Sequence, residues 1–156
     1  MTAEIKKLSE SILVGINLPM SLTNNQTGKL WSAFEPLVKS IPNRKSSEKI
    51  SLQIYPDDYF SSFNPNTEFI KWAGVLVNKN SNIPENLNTL IIPEGAYAVF
   101  NYLGPANNPQ IFQYIFTEWL PNSGYQLDNR PHFEVLGEKY SNTSPDSEEE
   151  IWIPIK

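Results

Sequence analysis

Apolar residues fall at every second position through Ile12, Val14, Ile16 and Leu18, between Leu13, Gly15 and Asn17. A period of two predicts a half-buried strand, and Pro19 is expected to end it. Leu30, Trp31, Phe34, Leu37, Val38 and Ile41 then recur at helical spacing. Thr27 is placed to cap that helix, and Pro36 inside the pattern predicts a kink or a break. Ile50, Leu52 and Ile54 alternate as a second strand, stopped at Pro56-Asp57-Asp58. The segment from Glu68 to Val77 reads as a third strand, apolar on both faces toward its end. A turn cluster from Asn78 to Pro84 follows.

The second half repeats that order. Leu87 to Ile92 is a short extended segment running into Pro93-Glu94-Gly95. Ala96 to Leu103 is a strand, ended by Gly104-Pro105. Asn107 or Asn108 with Pro109 signals a helix start. Ile111, Phe112, Ile115, Phe116 and Trp119 form one helical face, and Pro121-Asn122-Ser123-Gly124 ends it. Pro131 to Leu136 is a strand, Ser141 to Glu149 an acidic loop, and Ile151, Ile153 and Ile155 mark a last strand. Strand-helix-strand-strand thus occurs twice, over about residues 8–78 and 87–156. One such unit leaves a sheet face uncovered, and two can bury it against one another. The predicted fold is a single α+β domain over 1–156. It is a duplicated βαββ unit with pseudo-two-fold symmetry, an antiparallel or mixed sheet, helices on one side and a groove between the repeats.

Composition narrows the function. The chain has 156 residues, a net charge of -5 and few Lys or Arg. A nucleic-acid binder shows a basic face, so direct nucleic-acid binding is not expected. There is no Cys and one His, which argues against thiol chemistry and a zinc site. No metal or cofactor is expected. Ser9, Glu10 and Ser11 interrupt any apolar core of a signal peptide, and no stretch is long enough to span a bilayer. A cytoplasmic protein without membrane association is the expectation. The oligomeric state is not legible.

One short run raises a chemical question. In Pro131-His132-Phe133-Glu134-Val135-Leu136, a carboxylate sits inside an apolar strand. A buried carboxylate needs a partner, a proton or a ligand. A solvated glutamate on an edge strand is the bland alternative. There is no Gly-x-Ser-x-Gly elbow and no phosphate-binding Gly-rich loop.

Six motifs in order carry a resemblance. They are Lys71-Trp72-Ala73-Gly74-Val75, Ile92 to Phe100, Gly104-Pro105, Trp119 to Tyr125, Pro131-His132-Phe133-Glu134 and Glu150-Ile151-Trp152-Ile153-Pro154-Ile155. Together they resemble the GyrI-like small-molecule-binding domain, also seen as the effector-binding domain of AraC- and MerR-type regulators. The resemblance covers nearly the whole chain. It implies a duplicated βαββ fold and a ligand groove with aromatic walls and a buried glutamate. The family's central glutamate falls on Glu134, the one opening the last strand motif on Glu150, its tyrosine on Tyr97 and its tryptophan on Trp72. Many members carry a tyrosine two positions after the central glutamate, where this chain has Leu136. A phenolic partner for Glu134 must then come from elsewhere or be absent.

The expected ligand-binding residues are Glu134, Glu150, Tyr97, Trp72, Trp152 and Phe112. Glu150 follows Glu148 and Glu149 and reads equally as a solvated acidic run, though it shares parity with Trp152. Tyr97 and Trp72 are core or groove wall, Trp119 is packing, and His132 is a flanking polar residue. The expected function is a stand-alone receptor for a hydrophobic or cationic small molecule, with no DNA-binding domain ahead of Ile12. A protein-interaction module resembling the gyrase-inhibitor branch is one alternative. A hydrolase of cyclopropane-type electrophiles is the other. Some proteins similar to this family do that chemistry, and here it would use Glu134 and Glu150.

Overall fold

The computed structural model describes residues 2–156. Among the described residues eight strands form one sheet: β1 (Ala3–Leu8), β2 (Ser11–Met20), β3 (Lys49–Ile54), β4 (Phe69–Val77), β5 (Asn88–Ile92), β6 (Gly95–Leu103), β7 (His132–Leu136) and β8 (Glu148–Pro154). The helices are α1 (Thr27–Phe34), α2 (Gln110–Tyr114) and α3 (Leu120–Ser123). The spatial order is β1-β6-β8-β7-β3-β4-β2-β5, and every neighbouring pair is antiparallel. The sheet is therefore not mixed. Its order is symmetric about the central β7–β3 pair, so the two βαββ units meet along that line.

β1 is the element the hydrophobic pattern misses. Its alternation carries Glu4, Lys6 and Lys7, because one face and one edge are solvated. It also pairs across the repeat boundary. Leu8 faces Gly95 in the β1–β6 pair, and Ser11 faces Ile92 in the β2–β5 pair. The register is unbroken between these points, so β1-β2 and β5-β6 act as two long bent strands that clasp the halves together.

Prolines shape the rest. β2 runs past Pro19 to Met20, against expectation, with Pro19 opposite Ile70. β5 covers β2 only as far as Gly15, so Pro19 lies where β2 is an edge strand and a missing N–H costs no ladder bond. α1 stops at Phe34 and continues as a 3₁₀ turn over Glu35–Ser40, at the expected Pro36. In the second half, Asn108 Oδ1 accepts the Gln110 N–H, which starts α2. The helix then widens into a π-helical turn, Ile115–Trp119, whose following N–H at Leu120 reaches back to the Ile115 carbonyl. Pro121 comes next, and its ring would collide with the Thr117 carbonyl of a regular helix. Gly124, at φ 81°, ends α3.

Both sheet faces bury apolar side chains. On the helix side, Leu30 and Phe34 of α1 pack with Val14, Phe69, Ala73 and Val75 of the sheet, and Ile111 of α2 and Ile115 of the π-helical turn pack with Ala98, Phe100, Ile151 and Ile153. On the far side, Leu13, Leu52, Trp72, Ile92, Tyr97, Val99 and Phe133 form a third cluster. Each side chain fully withdrawn from water there contributes roughly 1.5–3 kcal/mol. The two helices leave the middle of the sheet uncovered between them.

Candidate functional site

Strand parity selects what faces that gap. The register places Lys49, Ser51 and Gln53 of β3 on the helix side, with Lys71 and Ala73 of β4, His132 and Glu134 of β7, and Glu149 and Ile151 of β8. A cavity of about 980 Å³ opens there, large enough for a drug-sized molecule. Its floor is Ser51, Lys71, Glu134 and Glu149. Its walls include Trp31 from α1, Phe112 from α2 and Tyr140 from the β7–β8 loop.

Glu134 is half-buried on this floor. Burial pushes its carboxyl up to about 7, Lys71 pulls against that, Glu149 adds to the rise, and a hydrogen bond from Gln53 opposes it. That bond is long, 3.4 Å from Gln53 Nε2 to Glu134 Oε1. Glu149 is also held up at about 7 by burial, again against Lys71. Neither carboxylate forms an ion pair among the described residues. Lys71 Nζ instead donates to Thr27 Oγ1 at 3.2 Å. Thr27 therefore does not cap α1 as expected. It lies inside the first turn, and its hydroxyl ties the helix to the cavity floor.

Among the described residues no phenol replaces the missing one at position 136 by a hydrogen bond: the Tyr140 hydroxyl donates to Asn142 Oδ1 at 2.8 Å, and Glu134 is bonded by Gln53. Tyr55 and Tyr140 are both shifted upward, chiefly by burial, and both feel the Glu134 charge. Tyr55 belongs to an aromatic plug that fills one end of the inter-helix groove. Phe60 stacks on Phe116 at 4.6 Å and on His132 at 5.3 Å, and Tyr55 meets His132 edge-on at 4.9 Å. His132 is buried among these rings, which lowers its pKa to about 3 and leaves it neutral. It is a packing residue here.

Four of the expected ligand residues lie elsewhere. Glu150 and Trp152 alternate with Glu149 and Ile151, so they face the far side. There Glu150 Oε1 accepts the Trp152 indole N–H at 3.1 Å, and Trp152 stacks on Phe133 at 5.1 Å. Trp72 is buried in the same far-side cluster. Tyr97 is fully buried, donates to the Pro131 carbonyl at 2.8 Å and carries the Arg130 guanidinium over its ring at 4.7 Å. Burial pushes its phenol up to about 12, against the opposing pull of the Arg130 charge. Trp72 and Tyr97 are far-side core with Trp152 packed against them and Glu150 bonded to Trp152, and of the expected set only Glu134 and Phe112 line the cavity.

Sequence reasoning missed Glu149, Lys71, Trp31 and Tyr140. The acidic run from Glu148 begins β8 and is not loop, with Glu149 opposite Tyr102 and Glu150 opposite Asn101. A signal for Lys71 was present: it is the one charge inside the apolar run of β4, as Glu134 is in β7.

The model of the GyrI-like small molecule binding domain matches residues 1–156. The chain belongs to this family. The GyrI-like chain is 29% identical to the transcriptional regulator BrlR of Pseudomonas aeruginosa, over 99% of its own length and 56% of the relative's. It thus spans about half of that regulator. In fold it is similar to a putative transcription regulation protein of Staphylococcus aureus MU50, with a TM-score of 0.72 at 17% identity, covering 100% of this chain and 99% of the other. It is similar to SAV2435 bound to tetraphenylphosphonium, with a TM-score of 0.70 at 17% identity over 100% and 94% of the two chains. The EcmrR C-terminal domain gives 0.71 at 15% identity over 99% and 97%. At such identities these structures show the shared fold alone. Among the described residues no helix is long and apolar enough to cross a membrane, and no group of side chains is arranged to hold a metal ion.

Proposed function

We propose that this GyrI-like domain receives an organic cation in the cavity between α1 and α2, and that Glu134 and Glu149 bind its charge. One observation carries the reading. Two carboxylates sit half-buried on one floor, and neither is held by an ion pair among the described residues. A carboxylate removed from water and left unpaired is unfavourable, and its proton or a guest cation relieves the cost. Trp31, Phe112 and Tyr140 offer aromatic faces to the same guest. Asn25, Ser32, Ser51, Ser141 and Asn142 add hydrogen-bonding groups, so the guest combines an apolar body with polar substituents. That SAV2435 has been seen with tetraphenylphosphonium is consistent with such a guest.

The test is a titration with tetraphenylphosphonium, followed by tryptophan fluorescence, of the wild type and of Glu134→Gln. Wild-type quenching that weakens about tenfold in Glu134→Gln is expected for a charge pair in a partly desolvated site. A full series of lipophilic cations without quenching would sink the proposal. Glu134 and Glu150 lie on opposite faces of the sheet, which speaks against a hydrolase that uses that pair. The hydrolase alternative would need Glu134 and Glu149 on one substrate, and turnover of an electrophile lost in both Glu134→Gln and Glu149→Gln would favour it.

A further inference from the structure

Lys71 is an unexpected guest-facing group in a cation site. Among the described residues six charged side chains line the cavity: Glu35, Lys49, Lys71, Glu134, Glu138 and Glu149. Glu35 and Lys49 neutralise each other across 2.6 Å. Glu138 is exposed at the rim. The floor therefore holds two carboxylates and one ammonium. Lys71 is half-buried on β4, in the inner part of the sheet, with β3 on one side and β2 on the other. Its Nζ is steadied by Thr27 Oγ1 on the first turn of α1, and it forms no ion pair among the described residues. It is placed to act on both carboxylates at once, and both feel its charge.

We propose that Lys71 is the specificity-determining residue of the cavity, a resident positive charge that fits the site to guests of a single positive charge. With Lys71 in place the ionised floor carries one net negative charge, which a monocation cancels. A dication leaves one positive charge in excess beside the Lys71 ammonium, in a setting where water screens it poorly. Removing the ammonium leaves two negative charges, which a dication cancels and a monocation does not. Lys71 thus acts by repulsion against the wrong guest as well as by charge balance with the right one. This inference rests on the cation-receptor reading, and its test separates the two.

The probes are benzyltrimethylammonium and para-xylylene-bis(trimethylammonium), which share one aromatic frame and carry one and two permanent charges. Calorimetric titration at low salt is run on the wild type, Lys71→Met and Lys71→Arg, each checked for folding by its thermal melt. The wild type and Lys71→Arg should prefer the monocation. Lys71→Met should invert the preference, gaining about tenfold for the dication relative to the monocation. Lys71→Gln replaces Lys71→Met if the latter does not fold. A variant that moves both affinities by the same factor, or neither, overturns the role of Lys71 while Glu134-dependent binding stands. Binding of neither cation to any of the proteins overturns the receptor reading and this inference with it.

Discussion

Glu134→Gln should make the ligand-free protein more stable at alkaline pH, although it weakens guest binding. The Glu134 carboxyl moves from the ordinary glutamate value of 4.5 to about 7 in the fold. The folded state thus holds a proton that the unfolded chain has already released. Between these two values the unfolded chain binds fewer protons, so stability falls as pH rises. The full loss is present above about 7, and below about 4.5 there is none. At 1.36 kcal/mol for each pH unit of separation, the cost reaches ~3 kcal/mol as an upper limit. Glu134 is only half-buried on an open cavity, and the nearby Lys71 charge offsets part of the cost, so ~1–2 kcal/mol is the expected figure. Glutamine keeps the shape and can still accept the Gln53 hydrogen bond through its carbonyl oxygen. Urea unfolding at pH 5 and pH 8 measures the difference. At pH 5, half a unit above the unfolded value, the variant should lead by only ~0.5–0.8 kcal/mol. At pH 8 the variant should be the more stable by ~1–2 kcal/mol, and a saturating guest cation should narrow that gap by stabilising the wild type. Equal losses between pH 5 and pH 8 in both proteins would show that Glu134 is ionised and well solvated in the empty fold, and the electrostatic reasoning would be wrong.

Other expectations follow from the same geometry. Glu150→Gln should leave cation affinity within about twofold of wild type, because its carboxylate serves the Trp152 indole on the far face; a loss like that of Glu134→Gln in the same titration would refute the assignment of faces. Phe60→Ala should destabilise the fold by ~2–3 kcal/mol in urea unfolding, since it removes the ring stacked on both Phe116 and His132. The His132 imidazole, lowered to about 3, should stay neutral from pH 8 down to pH 5 in its ring NMR shifts, so it contributes a stability loss only as pH falls below its unfolded value near 6.5. Gly95→Ala should cost ~1–3 kcal/mol in thermal or urea unfolding, because an added Cβ would lie 2.3 Å from the Arg130 guanidinium that clips β6 to Ile155.

Much of the fold is written in local periodicity. The alternation in β2, β3 and β4, the helical stripe of α1 and its break at Pro36, and the matching elements of the second half follow from residues a few positions apart. Local signals also flagged Glu134, since a charge within an apolar strand needs a compensating neighbour. β1 was hidden because a solvated edge strand carries charges and lacks a clean apolar period. Its pairing with β6 depends on Gly95 to Phe100, far away in the chain.

The membership of the site was decided by register. Alternation places Glu149 and Glu150 on opposite faces, but only the pairing of Glu134 with Ile151 says which of them shares a floor with Glu134. A shift of one residue would have exchanged Glu149 for Glu150, and Lys71 for Trp72. The far-side burial of Tyr97, Trp72 and Trp152 likewise depends on the two long bent strands closing that face. The sequence alone determined a duplicated α+β sheet with a carboxylate at its centre. Tertiary structure chose that carboxylate's companions, a second glutamate and a lysine, because strand pairing sets which side chains meet and is specified by contacts between distant residues.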